Sequence, residues 1–342
     1  MRYLFILSTI LLFSSSLAFA QEADCLNANS CGVSEEVIAE YPEPNVTQRY
    51  ADDELLFDRV YRRMVDVVQV YDAPNGNIIN AFGVGFNFVT VLSTSGEWSE
   101  ISPGRWVQSS RLSDDVVISR FAGVLLPEEA LPYPMGWILV NVYPSETPGG
   151  EPSESNPIRL RYETVNLYAA VQVGDWIWYQ IGDDQWVIQT LIAKLIPVER
   201  PADVDTERWV SVDLYEQVAI AYEDETPVFA TLVSSGLPQW STNEGLFHIY
   251  VRYPRTLMSG AEGQSDFYYL EEVPWTMYFD DDIALHGTYW HDGFGYRHSH
   301  GCVNLSITDA AWLYEWASPE FDFTIDNDLG AAVYVYSSGV YQ

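Results

Sequence analysis

Positive charge is what this 342-residue sequence lacks most. Lys and Arg total 16 against 49 Asp and Glu, a formal net charge of −33, and Lys194 is the single lysine. A protein that tracks nucleic-acid phosphates needs a basic face, and there is little here to build one. An anionic membrane surface is excluded as a partner for the same reason. A P-loop is excluded because no glycines precede Lys194 to cradle phosphate. Long apolar runs are missing too: Tyr3–Phe13 falls short of the ~20 residues that cross a bilayer. What the chain does have is 48% hydrophobic and 15% aromatic residues, enough for a sizeable core and for two or three domains.

The short apolar run has its own meaning. Residues 1–20 begin with Arg2, continue through the run and end on the small-x-small triplet Ala18-Phe19-Ala20. This pattern predicts a cleaved signal peptide and a protein that works outside the cytoplasm. Asp24 sits where a lipoprotein cysteine would be preceded by a small residue, so Cys25 is a poor lipidation site. Cys25 and Cys31 are close enough in sequence to pair in an oxidising compartment, which leaves Cys302 alone. A lone cysteine is either a small buried hydrophobe or a reactive thiol, and its neighbours decide.

Residues 21–55 are polar, acidic and aperiodic, and are expected to form a tail; Asn45-Val46-Thr47 within them is a glycosylation-like triplet. Beyond it the text is strand-like and repeats itself. Trp98-x-x-Ile101-x4-Trp106-Val107 has the same spacing as Trp178-x-x-Ile181-x4-Trp186-Val187, and Val70-Tyr71 is echoed by Val142-Tyr143. The Pro/Gly/Ser/Glu-rich stretch 147–157 accounts for the longer second copy. Two copies of a small all-β unit are therefore predicted, over 56–126 and 131–197. They resemble bacterial SH3-like barrels. Most of their tryptophans are expected in the core.

A linker, 198–207, leads to a third domain over 208–337. Runs such as Trp209–Leu214, Gln217–Tyr222 and Val228–Val233 read as strands. Residues 254–274 read as a loop or flap. Ser306-Ile-Thr-Asp309, followed by an apolar run to Trp316, reads as a capped helix, and 331–336 as a last strand. The fold class expected is mainly β, with two small barrels and a mostly β third domain carrying at least one helix.

Four of the five histidines fall between 286 and 300, and Cys302 follows immediately. A cysteine nucleophile has a free-thiol pKa of ~8.5 and needs a base to take its proton. An imidazole within hydrogen-bond reach does this, if a third group holds its tautomer. Small residues beside the thiol admit a carbonyl, and nearby backbone amides receive the oxyanion. His286, then a glycine-bearing loop, then Ser299-His300-Gly301-Cys302-Val303-Asn304 offers these features.

This segment resembles the active-site motif of the L,D-transpeptidase (YkuD-type) family: a histidine, a variable loop, then Ser/Thr-His-Gly-Cys-apolar-Asn. The resemblance covers roughly 208–337 and implies acyl transfer on peptidoglycan stem tetrapeptides. Cys302 would be the nucleophile and His286 the general base, then acid. Some members carry a serine after this histidine. Here it is Gly287, whose backbone carbonyl would orient the ring. Gly301, Ser299 and His300 would shape the pocket and oxyanion site, and Asn304 would brace the loop. Trp290 would flank the substrate, with Trp275 and Tyr278 as further aromatic candidates. The resemblance implies no metal and no organic cofactor, donor and acceptor stem peptides as partners, carbapenem-type inhibitors, and a secreted, wall-associated enzyme.

Other readings use the same residues. A zinc site would draw on His286, His300 and Cys302, but their spacing fits no HExxH or CxxC pattern. A wall peptidase or amidase of the NlpC type places Cys before His, the reverse of the order here. A non-catalytic wall-binding protein would leave the motif idle. His291 and His298 read as solvated loop residues, and His248 as structural. The acidic surplus is expected to favour solubility and to keep the chain from sticking to an anionic wall.

Overall fold

The computed structural model describes residues 32–261, 263–264, 266–317 and 330–340. The predicted signal peptide, Cys25 and Cys31 lie outside the described residues. The architecture is mainly β, as expected.

The internal repeat is visible in the strand register. Trp98–Ser102 pairs with Arg105–Gln108 so that Trp98 faces Gln108 and Glu100 faces Trp106. Trp176–Gly182 pairs with Gln185–Ile188 so that Trp178 faces Ile188 and Gln180 faces Trp186. Each hairpin has a bulge after its middle pair and runs on into a 3-10 turn, Ser109–Arg111 or Gln189–Leu191. Each copy also closes a three-strand set around its first strand: Tyr61–Met64 between Phe86–Thr90 and Leu112–Ser113, and Met135–Ile138 between Thr164–Asn166 and Ile192–Lys194. Trp98 and Trp186 are buried; Trp106 and Trp178 are half-buried.

The third domain packs two sheets around one core. The first has Arg208–Asp213 at its centre, antiparallel to Val218–Glu223 and parallel to Ala332–Tyr336. The second carries Tyr268–Asp280, Ile283–Gly287 and Val303–Leu305 side by side. Between them lies the helix Ile307–Ala317, eight of whose positions are buried, packed with Val210, Met277, Leu285 and Val303. It starts where the sequence places it: Ser306 Oγ accepts the Asp309 amide at 3.2 Å, the local bond that makes serine a good N-cap.

Two expectations are corrected. The tail does not extend to residue 55. Thr47–Gln48 adds to the first sheet through Val124–Leu125, Arg49 pairs with the buried Asp309 carboxylate at 3.1 Å, and Leu56 is fully buried. A two-residue strand has no period to detect, which is why it was invisible. The segment 254–274 is not a loop. It belongs to a long hairpin, Val251–Gly260 against Tyr268–Asp280. Glu272 and Trp275 both sit at positive φ (49° and 55°), and the register shifts between Thr256 and Met258. These irregularities break the alternation that would have marked the strand.

The units also share structure across their boundaries. Phe86–Phe88 of the first repeat pairs in parallel with Tyr268–Leu270 of the hairpin, so one sheet runs through both. Tyr61 of that repeat stacks on Tyr289 with ring centroids 3.7 Å apart.

Candidate active site

Strand parity assembles the site. Ile283–Gly287 and Val303–Leu305 run parallel, with Leu285 opposite Val303 and His286 opposite Asn304. Neighbouring residues in a ladder share a face, and residues two apart share it again. Cys302, two before Asn304, therefore lies on the His286 side, beside Ala284. Tyr278 stands opposite Ala284 in the next strand and joins the same row. Leu285, Val303 and Met277 point the other way, into the core beneath the helix.

His286 is 2% exposed. Its Nδ1 lies 3.0 Å from the Gly287 carbonyl oxygen. A carbonyl only accepts, so Nδ1 carries the proton and Nε2 keeps its lone pair. That is the tautomer a base would need, and the group that holds the ring is the Gly287 backbone carbonyl. A Cβ at Gly287 would lie 3.0 Å from Pro274 Cγ and 3.2 Å from Ile307 Cα, so the chain is tightly packed at this position.

Cys302 is half-buried. Its thiol donates to the Asp282 carbonyl at 3.7 Å. Burial pushes the thiol up to about 11; the Ala284 amide, which favours the thiolate, opposes this, and the Asp282 carboxylate adds to it. Burial also pulls His286 down to about 4, with the Gly287 bond opposing. The resting pair is thus a neutral thiol and a neutral imidazole, not an ion pair. Cys302 and His286 lie on the same face, and among the described residues the thiol is hydrogen-bonded to Asp282 and the imidazole to Gly287. Catalytic hydrogen bonds often tighten only when substrate is present.

The loop before Cys302 is tied down by its own side chains. Ser299 Oγ accepts the Gly301 amide at 3.1 Å and donates to the Cys302 carbonyl. Thr242 Oγ1 donates to the Gly301 carbonyl at 2.7 Å. Gly301 has φ +125°, a conformation open to glycine. Its amide is taken by Ser299, so Gly301 serves the site through its backbone shape and not as an oxyanion donor, which corrects that expectation.

The aromatic candidates separate. Trp290 lies beside His286, centroids 5.7 Å apart, and Tyr278 shares the Cys302 row; burial, then the neighbouring Cys302, raise its hydroxyl to about 12. Trp275 stands at φ +55°, where the strand's alternation is broken. Its ring meets Tyr314 of the helix edge-on at 5.3 Å. It supports the sheet from behind, contrary to the expectation of a substrate contact. His300 is exposed, stacked against Trp240 at 3.9 Å with Tyr268 on another side at 5.3 Å and Asp266 3.8 Å from its Nε2.

His291 overturns the solvated-loop expectation. It is 6% exposed. Its Nδ1 accepts the Gly293 amide at 3.0 Å, so its proton sits on Nε2, 2.8 Å from the Asn304 amide group. The two hydrogen bonds are consistent only if Asn304 turns its oxygen to the ring, the same oxygen that is otherwise buried without a partner. Thr242, Trp240, His291 and the Asp282 carbonyl are the site residues the sequence did not single out. Only His291 had a signal, its place in the histidine cluster.

Part of this chain is similar to known proteins. Residues 207–335 match the family model YkuD, the L,D-transpeptidase catalytic domain. This segment is a YkuD-type catalytic domain. The protein is 28% identical over 121 residues to the putative L,D-transpeptidase YciB of Bacillus subtilis, a match covering 31% of this chain and 59% of that one. It is similar to the solved L,D-transpeptidase of Stackebrandtia nassauensis (26% identity, 41% of this chain and 58% of that one, TM-score 0.30). It is also similar to L,D-transpeptidase 3 of Mycobacterium tuberculosis, solved with a faropenem-derived adduct (16% identity, 52% and 76%, TM-score 0.33). The YkuD-type domain spans His286, Cys302 and the whole loop between them.

Proposed function

We propose that this protein is an exported, cysteine-dependent L,D-transpeptidase that acts on peptidoglycan stem tetrapeptides and forms cross-links in the cell wall. The observation that carries the reading is the shared face of Cys302 and His286, with His286 Nδ1 held on the Gly287 carbonyl, inside a YkuD-type domain.

The chemistry follows from the neutral pair. The thiol gives its proton to His286 Nε2 as sulfur bonds to the carbonyl carbon of the third stem residue. The oxyanion is met by a backbone amide at the loop; with the Gly301 amide occupied, the Cys302 amide is the donor assigned. Collapse breaks the C–N bond, and His286 returns the proton to the leaving D-alanine nitrogen. The thioester is then attacked by an amine of a second stem. His286 takes that proton and the thiol leaves. Trp290 and Tyr278 line the approach. The paired β-units are read as SH3-like accessory barrels.

The test is mass spectrometry of stem-peptide products and of the intact protein after incubation with tetrapeptide donors or a carbapenem. Released D-alanine, a dimeric peptide and an adduct on Cys302 are expected, all lost in Cys302→Ala. Full activity in that variant overturns the mechanism.

A further inference from the structure

The loop after His286 is gripped from outside its own domain. Asp292 is the point of contact. Its carboxylate accepts Ser119 Oγ at 2.5 Å, faces the Tyr162 hydroxyl at 2.9 Å and pairs with Arg161 at 3.5 Å. Its backbone carbonyl also accepts from Arg161. Arg161 and Tyr162 belong to the second repeat. Tyr162 stands at φ +71°, a conformation unfavourable for a bulky residue that has to be held by its surroundings. Its ring packs on Phe121 at 4.5 Å, with the Arg161 guanidinium 4.3 Å over its other side.

Asp292 is joined directly to His291, whose Nε2 meets the Asn304 amide at 2.8 Å. Asn304 in turn stands opposite His286 and two residues after Cys302. A continuous path of bonded groups therefore runs from the second repeat to the strand that carries the thiol.

We propose that Arg161 and Tyr162 are positioning residues for the catalytic pair, acting through Asp292 and His291 on Asn304. The second repeat is then a working part of the active site. The inference rests on the activity proposed above, and one readout below is independent of it.

The experiment uses the full chain. Tyr162→Phe removes the hydroxyl and keeps the ring on Phe121. Arg161→Ala and Arg161→Lys form a loss-and-rescue pair. Two rates are followed: kcat and KM for D-alanine release from a tetrapeptide, and alkylation of Cys302 by iodoacetamide, resolved by peptide mass spectrometry. Tyr162→Phe is expected to lower kcat about tenfold with KM within twofold, and to slow or speed alkylation at least threefold. Arg161→Lys recovers most of what Arg161→Ala loses. In a His291→Gln background, Tyr162→Phe adds nothing, because the path is already cut. Unchanged kcat and alkylation in Tyr162→Phe, or an equal effect with and without His291, overturns the proposal. If Tyr162→Phe fails to fold, the Arg161 pair decides by the same two rates. If the wild-type chain releases no D-alanine, the reading of its activity fails, and alkylation alone judges the positioning.

Discussion

The Cys302 thiol donates to the Asp282 carbonyl while His286 Nδ1 is held on the carbonyl of its own neighbour, Gly287. Both partners are backbone oxygens, which do not titrate. Both side chains are therefore stored uncharged, and in the mechanism proposed above the proton moves as the sulfur attacks.

That storage sets the pH behaviour. With His286 held near 4 by burial, the base stays unprotonated through the mildly acid range. The acid limb of kcat/KM is expected to fall with a midpoint near 4 instead of near the ordinary 6.5. With the thiol held near 11, alkylation of Cys302 without substrate is expected to be slow at pH 7 and to rise through the alkaline range. An acid limb near 6.5, measured with the full chain, contradicts the neutral pair.

The same burial links protonation to stability. A histidine whose pKa falls on folding binds fewer protons folded than unfolded. Its contribution is complete above 6.5, the unfolded value, and is lost as pH falls toward 4. A change from 6.5 to about 4 is worth about 3 kcal/mol. Denaturant melts of wild type and His286→Gln are compared at each pH, so that other groups cancel. The difference between them should shrink by about that amount between pH 6.5 and 4; a constant difference refutes the burial argument.

Much of this was legible in the sequence, for a reason that varies by residue. Cys302, His286 and Gly287 were readable because they stand in an ordered motif, His286, a loop, then Ser299-His300-Gly301-Cys302-Val303-Asn304, that resembles one family's. The repeats were readable because Trp98 and Trp178 head hairpins of the same register. Trp275 was misread because its face depends on parity within a strand whose bulges the sequence does not display. His291 was misread because burial of a loop residue is decided by how the loop folds back on itself, here with Phe294, His298 and Asn304 against the ring. The Thr47–Gln48 pairing was missed because the strand is two residues long and its partners, Val124 and Leu125, are far away in sequence.

Gly301 offers a sharper test of the loop. At φ +125° a side chain is strained whatever the space around it, and a Cβ there would meet Ile283 only at ordinary contact distance. Gly301→Ala is expected to cost about 1–3 kcal/mol and to lower kcat more than KM, since the turn presents Cys302. Thermal melting and donor kinetics check it together; a fully active, fully stable variant shows that the turn is not needed.

Asp309 ties the helix to three parts of the chain at once. It is fully buried, pairs with Arg49 at 3.1 Å, accepts the Gly123 amide at 2.9 Å and accepts Thr231 Oγ1 at 2.7 Å. Removing one partner of a buried pair leaves the other uncompensated, at about 3–5 kcal/mol. Asp309→Ala is expected to fall in that range by denaturant melting. Arg49→Ala should cost less, because the Gly123 and Thr231 bonds still hold the carboxylate. Burial already raises the Asp309 pKa, so the freed carboxyl can take up a proton and become neutral. The loss in Arg49→Ala should accordingly be smaller at pH 5 than at pH 8, because protonation removes the unpaired charge; the opposite trend refutes this account of the tie.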